Sequence, residues 1–252
     1  MPVVDAVARC AAPAAGGMVS GMTLVFPGPR LGGLSLIAGP PLLLAGTALR
    51  LGVPFFFPHQ IAAYQQRPGL WGTSYALALA GIIALWPGIA MLAAQIADSR
   101  PGWGRWGGTL VITGLFARVF QHGADTFAFS LTGSAGPVVA EQAVGAYYRY
   151  PEWVVSSLSV AIMTGWIVLA VGGRLSRVLR AWQAVALALM SGLMIGVLKG
   201  STVASVVEVA GLAVALVPHG VTCLRGAGLP GWRTLGLVVL TAGASIILGQ
   251  LG

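Results

Sequence analysis

Residues 71–97 read WGTSYALALAGIIALWPGIAMLAAQIA, a run without a single charged side chain. An α-helix rises about 1.5 Å per residue, so about 20 apolar residues cross the ~30 Å hydrocarbon core of a bilayer. The run therefore reads as a membrane span. Pro87 inside it is tolerable where a neighbouring helix takes up the freed backbone groups. Working outward, similar spans follow at 33–53, 106–131, 153–173, 178–198, 203–224 and 231–250, with Pro40-Pro41 expected to kink the first. The whole chain of 252 residues is 57% hydrophobic and 8% charged, where a soluble domain carries about 25% charged residues. That balance excludes a secreted disulfide scaffold, a cytosolic enzyme and a disordered chain. The fold class is an all-α, polytopic membrane helix bundle of about seven transmembrane helices over 33–252. A cytoplasmic or interfacial segment over 1–32 precedes it, whose stretch AAPAAGGMVSGMTLVFPGP lacks signal-peptide order. The 37 glycines suit helices that must approach closely.

Charge sets the orientation. Net charge is +8, yet the basic residues are scattered singles between apolar spans, so no nucleic acid is expected as a partner; the partner is the lipid bilayer. With seven spans, one side receives Arg9, Arg30, Arg100, Arg105, Arg174, Arg177, Arg180, Arg225 and Arg233. The other receives Arg67, Arg149 and Lys199, with Arg50 near a helix end. The positive-inside rule puts the N-terminus in the cytoplasm of a multi-pass cell-membrane protein. Lys199 is the only lysine and asparagine is absent, a bias that fits a GC-rich bacterial genome.

Polar groups inside spans carry the functional signal, because each costs about 2.5–3.5 kcal/mol to insert. Arg118, His122 and Asp125 follow one another at spacings of four and three, so all three share one face of the third span. Phe116, Phe120 and Phe127 point away, towards lipid or neighbours. Counted from residue 107, His122 lies about 22 Å into the membrane, and Glu208, entering from the other side, reaches a similar depth. Arg118, His122, Asp125 and Glu208 thus form the candidate catalytic set of a polar pocket in the outer half of the bundle. His59, Glu141, Tyr148 and Glu152, from the outer segments 54–70 and 134–150, are its candidate substrate-binding rim. The segment 134–150 reads as a short interfacial helix. The bland alternative is a buried ion pair of Arg118 with Asp125 or Glu208 that fixes helix register.

No HxxxH, HExxH or CxxC occurs, so neither a metal nor any other cofactor is expected. Cys10 and Cys223 both fall on the cytoplasmic side, where thiols stay reduced, so no disulfide is expected either.

Two resemblances bear on the reading. Arg149-Tyr150-Pro151-Glu152-Trp153-Val154-Val155-Ser156-Ser157 resembles the start of the counterion helix of microbial rhodopsins. That family carries retinal on a lysine of its last helix, whereas here 231–250 has no lysine and Lys199 falls between the fifth and sixth spans, so the likeness is set aside. The layout of His59, Ala62, Tyr64 and Pro68 loosely resembles uncharacterised multi-pass integral membrane proteins of GC-rich bacteria, and this implies no activity.

Three functions fit these residues. The first is a membrane-embedded enzyme doing acid/base chemistry on an apolar small-molecule substrate, isoprenoid or lipid-like, in the manner of a terpenoid cyclase. Glu208 or Asp125 would be the acid, His122 its proton partner, and Arg118 the orienting charge. The second is a small-molecule or proton-coupled transporter or exporter using the same groups as a relay. The third is a non-catalytic membrane partner or immunity subunit.

Overall fold

Four prolines mark helix starts. The computed structural model describes residues 26–54, 57–151, 153–194 and 202–227, with the single positions 236, 240, 241, 243 and 244. In it Pro29, Pro68, Pro101 and Pro137 each stand in the first turn of a helix. Proline has no N–H to lose there and its φ is already helical. The helices are α1 (Pro29–Ala48), α2 (Phe57–Gln66), α3 (Pro68–Ala97), α4 (Pro101–Ser134) and α5 (Pro137–Arg149). They continue as α6 (Trp153–Leu175), α7 (Ala181–Ala188), a 3₁₀ turn (Leu189–Met194) and α8 (Val203–Ala227). A reciprocal cap opens α8: the Thr202 and Ser205 hydroxyls lie 2.9 Å apart and each accepts the other residue's backbone N–H. Among the described residues there is no strand.

Helices α1, α3, α6 and α8 are each long and apolar enough to cross a membrane. Helix α4 has the length, 34 residues, but Arg105, Arg118, His122 and Asp125 make it the least apolar of the long helices. The span expected over 178–198 contains eight residues of α-helix and then the 3₁₀ turn. The span expected over 231–250 lies outside the described residues apart from those single positions, and so does segment 1–25.

From α1 through α3 and α4 to α6 successive long helices run antiparallel, and α8 runs parallel to α6 and antiparallel to α1. α1 lies along α3 and α8, α3 along α4, and α4 along α6, while α7 and its 3₁₀ turn join α6 to α8. The order of neighbours therefore closes on itself. Glycine sets how near they come. A Cβ at Gly46 would lie 2.6 Å from the Ala78 nitrogen and the Ser74 oxygen, so α1 and α3 meet backbone to backbone. Gly32, Gly39 and Gly46, seven residues apart, form that face of α1. On its other side, a Cβ at Gly220 of α8 would lie 2.7 Å from the Gly33 carbonyl oxygen. Leu36, Leu85, Ile89 and Leu212 fill the interior without exposure. Ile83, Phe116, Phe120, Phe127, Val160 and Val214 are more than half exposed, an apolar girdle suited to lipid, and the outward phenylalanines of α4 are as expected.

Pro87 does not interrupt α3, because α1 supplies a side chain at the break. Ser35 Oγ accepts the Gly88 N–H at 2.7 Å and donates to the Ala84 carbonyl, bridging two groups that pair directly in an unbroken helix.

The two ends of the bundle differ in charge. One end, where α1 and α4 begin and α6 and α8 finish, carries Arg30, Arg100, Arg105, Arg174, Arg177, Arg180 and Arg225, all exposed. The opposite end exposes only Arg67 and Arg149 among the described arginines. The short helices α2 and α5 lie at this second end, packed on each other and on α3 and α4. The short helix expected within 134–150 is α5.

Candidate functional site

Helix α4 presents Arg118, His122 and Asp125 on one face, as the four-and-three spacing requires, and all three are buried, at 6%, 4% and 5% exposure. Helix α3 runs beside them and contributes Tyr75, whose ring meets the His122 ring at a centroid distance of 5.0 Å. The Tyr75 hydroxyl donates to Gln60 Oε1 of α2 at 2.7 Å. Arg50, just past the end of α1, is 2% exposed and holds its guanidinium over the same Tyr75 ring, 4.5 Å from its centre.

The end of α1 explains how Arg50 is held. The Arg50 N–H turns back to the Thr47 carbonyl, so the last turn tightens and releases the Gly46 carbonyl. Ser74 Oγ donates to that carbonyl at 2.6 Å and Arg50 Nε at 3.4 Å. A cation at a helix C-terminus also faces the negative end of the backbone dipole.

Above the cluster lies an aromatic lid. Phe57 and Tyr64 of α2 stack on Phe129 of α4 at 5.8 and 5.1 Å, and Tyr75 meets the edge of Phe129 at 4.9 Å. Ile61, Trp71, Ala140 and Val144 complete this layer, which brings α5 over the site. The cluster is thus enclosed by apolar rings and close to one end of the bundle.

Its hydrogen bonding is incomplete. Arg118 Nη1 donates to Gln121 Oε1, but Arg118 Nη2 and His122 Nε2 are buried without a partner, and Trp71 Nε1 is another such atom in the lid. Asp125 acts electrostatically on both Tyr75 and Arg118, and Arg50 on both Tyr75 and His122. These side chains form one coupled group. It joins a carboxylate, an imidazole and a phenol, groups that exchange protons, within reach of two guanidinium charges.

The other expected residues are placed elsewhere. Glu208 sits on α8, which packs along α1 and α7 and not along α4. Its carboxylate lies over Gly192 of the 3₁₀ turn, where a Cβ would meet Oε1, and Oε2 is buried without a hydrogen-bond partner. Equal depth in the membrane does not bring Glu208 and His122 together, because depth leaves the position around the bundle open. His59, Glu141 and Tyr148 are exposed on the outer faces of α2 and α5, while their neighbours Gln60, Ala140 and Val144 turn inward. Glu152 lies outside the described residues. The expectation of reduced cysteines also needs correction: Cys223 is not a free thiol, and Cys10 lies outside the described residues. That expectation rested on the compartment assigned to the loops, not on geometry.

Sequence reasoning missed Arg50, Gln60 and Tyr75. Trp71, Ser74 and Tyr75 were legible as polar-tipped residues at helical spacing in an otherwise aliphatic run. Arg50 stands near a helix end in the sequence, where its charge bears on orientation, and no local pattern marks it as buried. A second buried polar group, Gln95 with His219 at 2.7 Å and Cys223 Sγ at 3.5 Å, links α3 to α8. Among the described residues, no three His, Cys, Asp or Glu side chains gather as metal ligands. No family model, curated protein or solved structure matches the chain.

Proposed function

We propose that this is a membrane-embedded enzyme performing acid/base chemistry on an apolar, isoprenoid- or lipid-like substrate, in a seven-span bundle of the cell membrane with its N-terminus in the cytoplasm. The observation that carries the chemical reading is the joining of His122, Asp125 and Tyr75 in one buried group under an aromatic lid. His122 and Asp125 form the acid/base pair, Arg118 and Arg50 balance charge, and the Phe129 ring beside them would stabilise developing positive charge. Glu208 belongs to a separate place on α8. The orientation rests on the seven exposed arginines gathered at one end, which the positive-inside rule assigns to the cytoplasm.

The test is turnover by the purified protein in nanodiscs supplied with isoprenoid and lipid extracts, followed by mass spectrometry. His122→Gln and Asp125→Asn should each lower turnover by at least about 100-fold while the protein remains folded. Turnover that survives both substitutions would refute the assignment. Proton-coupled release of a solute from liposomes, lost in the same variants, would replace the enzyme by an exporter using the same relay.

A further inference from the structure

The polar cluster lies beside an apolar groove. Ile82, Ile83 and Trp86 of α3 and Leu115, Phe116 and Val119 of α4 line a shallow depression of about 70 Å³ along the seam of the two helices. Ile83, Trp86 and Phe116 are about half exposed, so the groove opens on the lipid-facing side. Val119 lies one turn before His122, and Ile82 lies two turns from Tyr75 on the same side of α3. A chain lying in the seam therefore has the buried cluster at one of its ends.

The charge and hydrogen-bond deficits there are complementary to an anion. Arg50 and Arg118 face one buried carboxylate among the described residues, Asp125. Arg118 Nη2 and His122 Nε2, on side chains more than nine-tenths buried, have no partner. Gln121 already occupies Nη1, so Arg118 does not offer the two-pronged fork that suits a planar carboxylate. One guanidinium N–H and one imidazole nitrogen from successive turns suit a tetrahedral oxyanion, whose oxygens diverge. A phosphate monoester monoanion also carries both P–O⁻ and P–O–H, and so satisfies Nε2 whichever ring nitrogen holds the proton.

We propose that the α3–α4 seam binds a long-chain phosphate monoester, with its single apolar chain in the groove and its phosphate on Arg118 Nη2 and His122 Nε2. This names the substrate class of the site and rests on the enzymatic reading only for what happens after binding. The phosphate replaces the missing hydrogen-bond partners, and the chain displaces lipid from a groove one helix seam wide.

Binding to the full chain in phosphatidylcholine nanodiscs tests it, read by native mass spectrometry without any demand for turnover. Dodecyl phosphate and farnesyl phosphate should bind saturably at one per chain, with dodecanoate, dodecanol and inorganic phosphate at least about tenfold weaker, a difference of about 1.4 kcal/mol. Arg118→Gln should remove the preference for phosphate over dodecanol. Ile83→Trp, on the exposed wall of the groove and remote from the charges, should weaken the long-chain ligands and leave folding intact. Equal binding of dodecanoate, inorganic phosphate as tight as the alkyl ester, or indifference to Ile83→Trp would each overturn the proposal. Binding without turnover sustains it and counts against the enzymatic reading alone, whereas turnover of some other lipid with no phosphate binding overturns it alone.

Discussion

Arg118 concentrates the energetics of single residues. Its guanidinium is 6% exposed in a helix that lies among apolar neighbours, and its nearest compensating charge is Asp125 on the same face. Removing one partner of a buried pair leaves the other uncompensated, which costs about 3–5 kcal/mol, whereas removing both can be nearly neutral. Arg118→Ala should therefore destabilise the protein by that amount in detergent or nanodisc unfolding, and Arg118→Ala with Asp125→Asn should recover part of the loss. Additive losses in the cycle would show that the two residues are not coupled. The same cycle with Glu208→Gln should be additive, because α8 does not run along α4. The sequence disclosed the first relation through spacing on one helix. It did not disclose that Glu208 stands apart, since a helix's place around a bundle is fixed by packing faces that no local pattern records.

At the scale of elements, α1 and α3 show which parts of a membrane fold can be read in advance. Helix positions followed from apolar length alone: 71–97 became Pro68–Ala97 and 203–224 became Val203–Ala227. The pairing of α1 with α3 had a visible sign in the seven-residue recurrence of glycine, but the facing partner could not be inferred without the contact itself. Pro87 had a visible consequence and an invisible remedy, the Ser35 hydroxyl between Ala84 and Gly88. Ser35→Ala should leave those two backbone groups unsatisfied and cost about 1–3 kcal/mol. In a Pro87→Ala background, where α3 can complete its own ladder, the cost of Ser35→Ala should shrink towards zero. An undiminished cost, measured by thermal unfolding of the four proteins, would mean that Ser35 acts through packing and not through the proline break. The weakest expectation was the span over 178–198, whose LMSGLM stretch forms a 3₁₀ turn at the point where apolar composition alone promised continuous α-helix.

For the whole molecule, the testable property is the direction in which it crosses the bilayer. Arg180 and Ser134 are exposed at opposite ends of the bundle. In a background with Cys10 and Cys223 replaced by serine, Arg180→Cys should resist an impermeant thiol reagent in intact cells, and Ser134→Cys should react. The reverse labelling pattern would invert the proposed topology and place the lidded cluster near the cytoplasm. Another whole-molecule property concerns the order in which the fold is made. Helix α1 pairs through Gly33 with Gly220 of α8, and Arg30 Nε donates to the Ala227 carbonyl at 3.2 Å. During synthesis, α1 enters the bilayer long before α8 has left the ribosome, and the face it keeps for α8, where Gly33, Leu36 and Ile37 meet Gly220 and Leu224, has no partner until then. That flank must stay open to lipid until translation passes residue 227, so the closing of the ring is a late assembly step, and a ribosome stalled short of it leaves α1 held on one side only.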